Sequence, residues 1–266
     1  MRQLDFNCFS GNWPFHKIRS NSVDKLCLLH RRCGIEGGFI SSFEAIFYQD
    51  PYEAELELAK QLEGKSYYHV MVVNPTLPAW KSDIKRAIVD LGICAVRLLP
   101  GYHKYHLLDP MVADMMEQCR KFRLPVFLTM RLQDERATWM LHPKQVDIME
   151  LASFLERNDD VLTLVTGLKL QELDEISALC KQRRNLFIDT SFIKDGLFAI
   201  EKACGKLPPE NLVYGSLAPL LELQATYLQV KLAKIDDSIK EMIFGGQWFL
   251  KQLNGMEDIN VSENCG

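Results

Sequence analysis

The fold is decided by residues 95–136, which read AVRLLPGYHKYHLLDP (95–110), MVADMMEQCRKFR (111–123) and LPVFLTMRLQDER (124–136). Two short apolar runs, Ile93 to Leu99 and Pro125 to Met130, flank a segment in which Val112, Met115, Met116 and Cys119 recur at i, i+3, i+4 and i+7. Short runs of this kind read as strands, and the spacing between them reads as one face of a helix. Strand, helix, strand is a parallel unit, because parallel neighbours are joined by a crossover. Each run ends in polar residues: Arg97 with Tyr102, His103 and Tyr105, then Arg131 with Asp134 and Arg136. In parallel α/β folds, chemistry collects at the carboxyl ends of the strands.

The same rhythm extends in both directions. Upstream, strands are expected at Leu4 to Phe9, Gly38 to Ser42 and Tyr67 to Val73. The helices between them carry their own start signals, Ser22 before one and Asp50-Pro51 before the next. Downstream, strands are expected at Val161 to Thr166, Leu186 to Thr190 and Leu212 to Tyr214. Leu221, Ala225, Leu228 and Leu232 read as the inward stripe of the eighth helix, and Ile239, Met242, Ile243 and Leu250 as that of one more. Eight alternations predict a single-domain α/β fold, a (β/α)8 TIM barrel over residues 1–255, with a polar tail over 256–266.

Composition narrows the function. A chain of 266 residues that is 47% hydrophobic can bury one large core, and its net charge of -4 argues against nucleic acid or an anionic membrane as partner. No apolar run reaches membrane-spanning length and no signal peptide is read, so a cytoplasmic location is expected. The eight cysteines form no CxxC pair and read as reduced thiols. A homodimer is the commonest assembly for such a chain.

Several segments carry a family likeness: Asp5-Phe6-Asn7-Cys8-Phe9, Leu124-Pro125-Val126-Phe127-Leu128-Thr129, Val165-Thr166-Gly167, Tyr214-Gly215-Ser216-Leu217-Ala218-Pro219 and Ile243-Phe244-Gly245-Gly246-Gln247. In that order the chain resembles the amidohydrolase superfamily, in the branch of small barrels that includes aminocarboxymuconate semialdehyde decarboxylase and dicarboxylate lactonases. The resemblance implies hydrolysis of a lactone or amide, or decarboxylation, of a small carboxylated molecule. It also implies five metal-ligand positions, which here hold Asn7, Phe9, Thr129, Thr166 and Leu217. Phe9 and Leu217 cannot ligate, and the other three are weak neutral donors. The expectation is therefore no cofactor, with zinc or manganese entering only if the register of these strands is misread.

The remaining polar residues supply the candidate site. Arg97, inside a strand, needs a partner, which is either a structural ion pair or a substrate carboxylate. Arg131 and Arg136 are candidate carboxylate clamps, with Asp134 between them as a loop lock or proton carrier. His103 and Asp189 are the candidate acid and base. Tyr102, Tyr105, His142, Asn7 and Trp13 are expected around the substrate, Trp13 as part of a lid. Three readings follow: an enzyme of amidohydrolase descent without the usual metal, a metal-dependent hydrolase with other ligands, or a barrel that binds a metabolite or partner without chemistry.

Overall fold

The structure is a computed structural model that describes residues 2–133, 143–194 and 196–263, with side chains through residue 255. The apolar runs form one sheet of eight strands in sequence order. They are β1 (Leu4–Ser10), β2 (Gly37–Ser42), β3 (Tyr67–Val72), β4 (Ala95–Leu98), β5 (Val126–Thr129), β6 (Thr163–Thr166), β7 (Leu186–Asp189) and β8 (Leu212–Val213). Every neighbouring pair is parallel. The chain around and after β8 then returns to β1. Phe6 N–H donates to Tyr214 O at 2.8 Å, Leu217 N–H to Asn7 O at 2.7 Å and Phe9 N–H to Ala218 O at 2.8 Å. These bonds close the sheet into a barrel and satisfy its edges.

The helices follow as α1 (Val23–Cys33), α2 (Glu44–Phe47), α3 (Pro51–Leu62), α4 (Trp80–Asp90), α5 (Pro100–His103), α6 (Pro110–Phe122), α7 (Ile148–Arg157), α8 (Leu173–Gln182), α9 (Ala199–Lys206), α10 (Leu223–Lys231), α11 (Asp237–Gly245) and α12 (Gln247–Glu263). The start signals work as read: the Ser22 hydroxyl accepts from Lys25 N, and the Asp50 carboxylate accepts from Tyr52 N. Outward-facing Ile40, Val96, Leu128, Val165 and Ile188 pack under the helices, against residues such as Leu26, Ile84, Met115 and Leu151.

The inward residues are layered. Phe6, Phe39, Phe127 and Phe187 form a floor around Phe249 of α12, whose ring meets all four edge-on at centroid distances of 5.3–5.8 Å. Gly246 makes this possible: it takes φ 53° between α11 and α12, and a Cβ there would lie 2.0 Å from the Phe6 ring. What read as one helix is therefore two, and the second plugs the amino-terminal end of the barrel.

Three further details differ from the sequence reading. The polar segments after β2 and β4 each contain a helical turn, α2 and α5. In α10 the buried face is Leu223, Thr226 and Val230, while Leu228 and Leu232 are exposed. The Tyr214 hydroxyl lies 3.1 Å from Thr226 Oγ1, so the polar residue on the buried face is satisfied. Helical backbone also continues to Glu263, into the expected tail.

Candidate active site at the strand ends

Successive inward residues on a strand are two positions apart. Two residues beyond the inward floor residues Phe39, Ala95, Phe127, Leu164 and Phe187 stand Ser41, Arg97, Thr129, Thr166 and Asp189. With Asn7 they form a polar tier, every member at most 1% exposed. Above it lies a second apolar layer of Phe9, Trp13, Phe43, Leu99, Leu132, Phe192 and Leu217.

Arg97 is the hub. Its Nε donates to Ser41 Oγ at 2.8 Å, and its Nη1 donates to Asn7 Oδ1 at 2.9 Å and Thr129 Oγ1 at 3.0 Å. The Asn7 amide donates onward to Asp189 Oδ2 at 2.7 Å, and Gly167 N–H donates to Asp189 Oδ1 at 2.9 Å. Thr166 Oγ1 donates to Thr129 Oγ1 at 3.0 Å. The guanidinium carbon lies 4.5 Å from the Phe9 ring centroid. Gly215 closes the tier, since a Cβ there would come within 2.4 Å of Asp189 Oδ2.

Electrostatics make this tier the unusual part of the barrel. Burial pulls the Arg97 guanidinium down to about 10, against the pull of nearby acidic groups including Asp189, so it stays charged near neutrality. Burial pushes the Asp189 carboxyl up, opposed by the hydrogen bonds from Gly167 and Asn7 and by the Arg97 charge. Among the described residues Arg97 Nη2 has no hydrogen-bond partner although it is buried, and the same holds for Trp13 Nε1 in the layer above. Leu217 holds φ 53°, a strained conformation for a residue other than glycine, costing roughly 1–3 kcal/mol.

The other candidates are placed elsewhere. Arg131 makes a two-pronged contact with Glu172, Nη1 to Oε2 at 2.6 Å and Nη2 to Oε1 at 2.5 Å, and so is engaged as a loop clamp. His103 bonds the Ile46 carbonyl through Nε2 at 3.1 Å, and burial lowers its pKa to about 4, leaving it neutral near pH 7. Tyr105 is buried in the outer core. Tyr102 meets Trp13 edge-on at 6.1 Å, in an aromatic cover that includes Phe43 and Phe47. Asp134, Arg136 and His142 lie outside the described residues. Ser41 escaped the sequence reading. Its signal is position, two residues past Phe39, the spacing that also marks Arg97, Thr129, Thr166 and Asp189.

The strand-end side chains include one carboxylate, Asp189, and a guanidinium stands among them. As they stand they do not fit a divalent cation. Among the described residues, the set whose ligand atoms lie within 4.8 Å of one another is Asp5, Cys8 and His30, all buried.

No curated protein sequence matches the chain. Solved structures do. A 2,6-dihydroxybenzoate decarboxylase complexed with 2,6-dihydroxybenzoate matches with a TM-score of 0.69 and 14% identity, over 94% of this chain and 99% of its own. A dihydroxybenzoic acid decarboxylase from Polaromonas sp., with bound manganese and an inhibitor, gives 0.69 and 14% over 95% and 97%. A 5-carboxyvanillate decarboxylase from Novosphingobium aromaticivorans, also with bound manganese, gives 0.66 and 11% over 93% and 97%. At these identities the likeness is one of fold. The manganese in two of these barrels, with the Asp5, Cys8 and His30 set in this one, overturns the expectation of no cofactor. That expectation weighed the strand-end positions and local motifs, and donors paired across β1 and α1 are invisible to such a reading. A family model described as Amidohydrolase matches residues 39–246, and the chain belongs to the amidohydrolase family.

Proposed function

We propose that the chain is an enzyme of hydrolase or decarboxylase type that acts on a small carboxylated molecule at the carboxyl-terminal face of the barrel. One observation carries the reading: Arg97 keeps a charged, buried and unpartnered Nη2 at the strand ends, next to a carboxyl whose pKa burial has raised. A buried donor without a partner is costly, and a ligand carboxylate would satisfy it. Asn7 bridges Arg97 to Asp189, so a substrate held by Nη2 would lie near a group able to hold or give a proton. Phe9, Trp13 and Phe43 would exclude water and strengthen both interactions. The neighbours that carry related acids in their names are decarboxylases, which supports the same substrate class.

A second reading, an acid-binding barrel without turnover, is favoured by the hydrocarbon of Phe9 and Leu217 at two strand-end positions. The two separate in one experiment. Aromatic carboxylic acids, lactones and amides are assayed for release of carbon dioxide or for hydrolysis, with manganese or zinc supplied, on wild type and Arg97→Lys. Turnover that falls at least about 100-fold in the variant supports an enzyme, since Lys cannot reproduce the guanidinium fork. Binding without turnover selects the second reading, and the absence of both sinks the two together.

A further inference from the structure

The outer face of β1 holds a second cluster of reactive side chains, on the far side of the strand wall from the Arg97 tier. Asp5 and His30 bond through Oδ2 and Nε2 at 3.0 Å, and Cys8 lies with them so that one ligand atom from each falls within 4.8 Å of the others. Asp5 and Cys8 are fully buried and His30 is 1% exposed. We propose that Asp5, Cys8 and His30 bind a borderline-soft divalent cation, zinc above all, at a site that ties β1 to α1.

Donor type, support and access all point this way. Thiolate, imidazole and carboxylate together select zinc over manganese, whose preference is for oxygen. The surrounding shell is already built. Asp5 Oδ1 accepts from the backbone N–H of Asn7 at 3.0 Å and of Ser216 at 2.9 Å, and the Ser216 hydroxyl donates to Oδ2. His30 Nδ1 lies 2.7 Å from the Tyr67 hydroxyl, which fixes the ring and leaves Nε2 facing Asp5. A groove of about 670 Å³ on the amino-terminal side of the barrel, lined by Cys27, His30, Lys65 and Tyr67, reaches the His30 member of the cluster. On binding, three new bonds form, to Sγ, Nε2 and a carboxylate oxygen. The thiol proton leaves to solvent, the imidazole proton passes through solvent from Nε2 to Nδ1, and water takes the fourth tetrahedral position.

The test is cobalt(II) and zinc titration of the full chain stripped with a chelator and shown to be folded by near-ultraviolet circular dichroism. One equivalent of cobalt should give thiolate-to-metal charge-transfer absorption, zinc should displace it, and zinc should raise Tm. Cys8→Ser should abolish the absorption, Cys27→Ser should retain it, and Tyr67→Phe should weaken binding about 10–100-fold. Should Cys8→Ser fail to fold, the wild-type and Cys27→Ser titrations decide. A folded wild type without the absorption, loss of it in Cys27→Ser, or its persistence in Cys8→Ser would overturn the proposal.

Discussion

The floor of the barrel and the tier above it are built from neighbouring inward positions on the same strands, yet they hold together by opposite means. In the floor, Phe249 meets four aromatic rings, and nothing polar needs a partner. Two residues further along β2, β4 and β5, and one residue beyond Phe6 on β1 where the register shifts, Arg97 gathers Ser41, Thr129 and Asn7, and Asn7 passes the network on to Asp189. The floor is a matter of volume and tolerates no cavity. The tier is a matter of satisfaction, and Arg97 Nη2, without a partner among the described residues, is where a ligand can contribute a hydrogen bond. The difference separates stability from function within a few ångströms of strand.

The sharpest way to break that separation is Phe249→Ala. It should cost about 3–5 kcal/mol in urea unfolding, as large-to-small core changes do, while leaving the affinity for a bound carboxylate unchanged in protein that remains folded. A concurrent loss of affinity would mean that floor and tier are one unit.

Acid probes the rim that covers the tier. His103 has a folded pKa of about 4 against an unfolded value near 6.5, so the neutral ring is favoured in the folded state. The associated stability is fully present above about 6.5 and is lost as pH falls towards 4, amounting to about 3 kcal/mol there. His103→Gln, which keeps a donor for the Ile46 carbonyl, should flatten this part of the pH–stability curve in chemical denaturation. An unchanged curve would remove His103 from the account.

Asn7→Leu tests the tier directly. It removes the bridge between Arg97 and Asp189 and leaves both short of a partner, at a cost of about 1–3 kcal/mol measured by urea unfolding. A neutral outcome would show the network to be dispensable. The smallest effect concerns Asp189, whose carboxyl is raised by burial. Its contribution is complete below the unfolded pKa of about 3.9 and is lost as pH rises through the folded value. Asp189→Asn should remove that decline, read from the same denaturation series.

Much of this was legible in the chain. The barrel follows from short apolar runs alternating with period-3.6 helices, and Arg97 and Asp189 announced themselves as charges in apolar strands. What was hidden depends on partners distant in sequence. Asn7 and Asp189 are hydrogen-bonded across 182 positions. Arg131 read as a substrate clamp until Glu172, 41 positions on, claimed its guanidinium. His30, which the sequence reading did not single out, is buried on α1 against Asp5, 25 positions away. The α10 stripe misled for the same reason: Thr226 finds the Tyr214 hydroxyl inside, while Leu228 and Leu232 are exposed.

The central claim is that Arg97 Nη2 is the anchor for a carboxylate. It is tested most directly by calorimetric titration of wild type and Arg97→Lys with a panel of small aromatic and aliphatic carboxylates, alongside the matching uncharged amides. The account predicts binding of at least one carboxylate by wild type, no binding of its amide, and at least a tenfold loss in Arg97→Lys. Equal affinity of the two proteins for the acid, or of wild type for acid and amide, would contradict it.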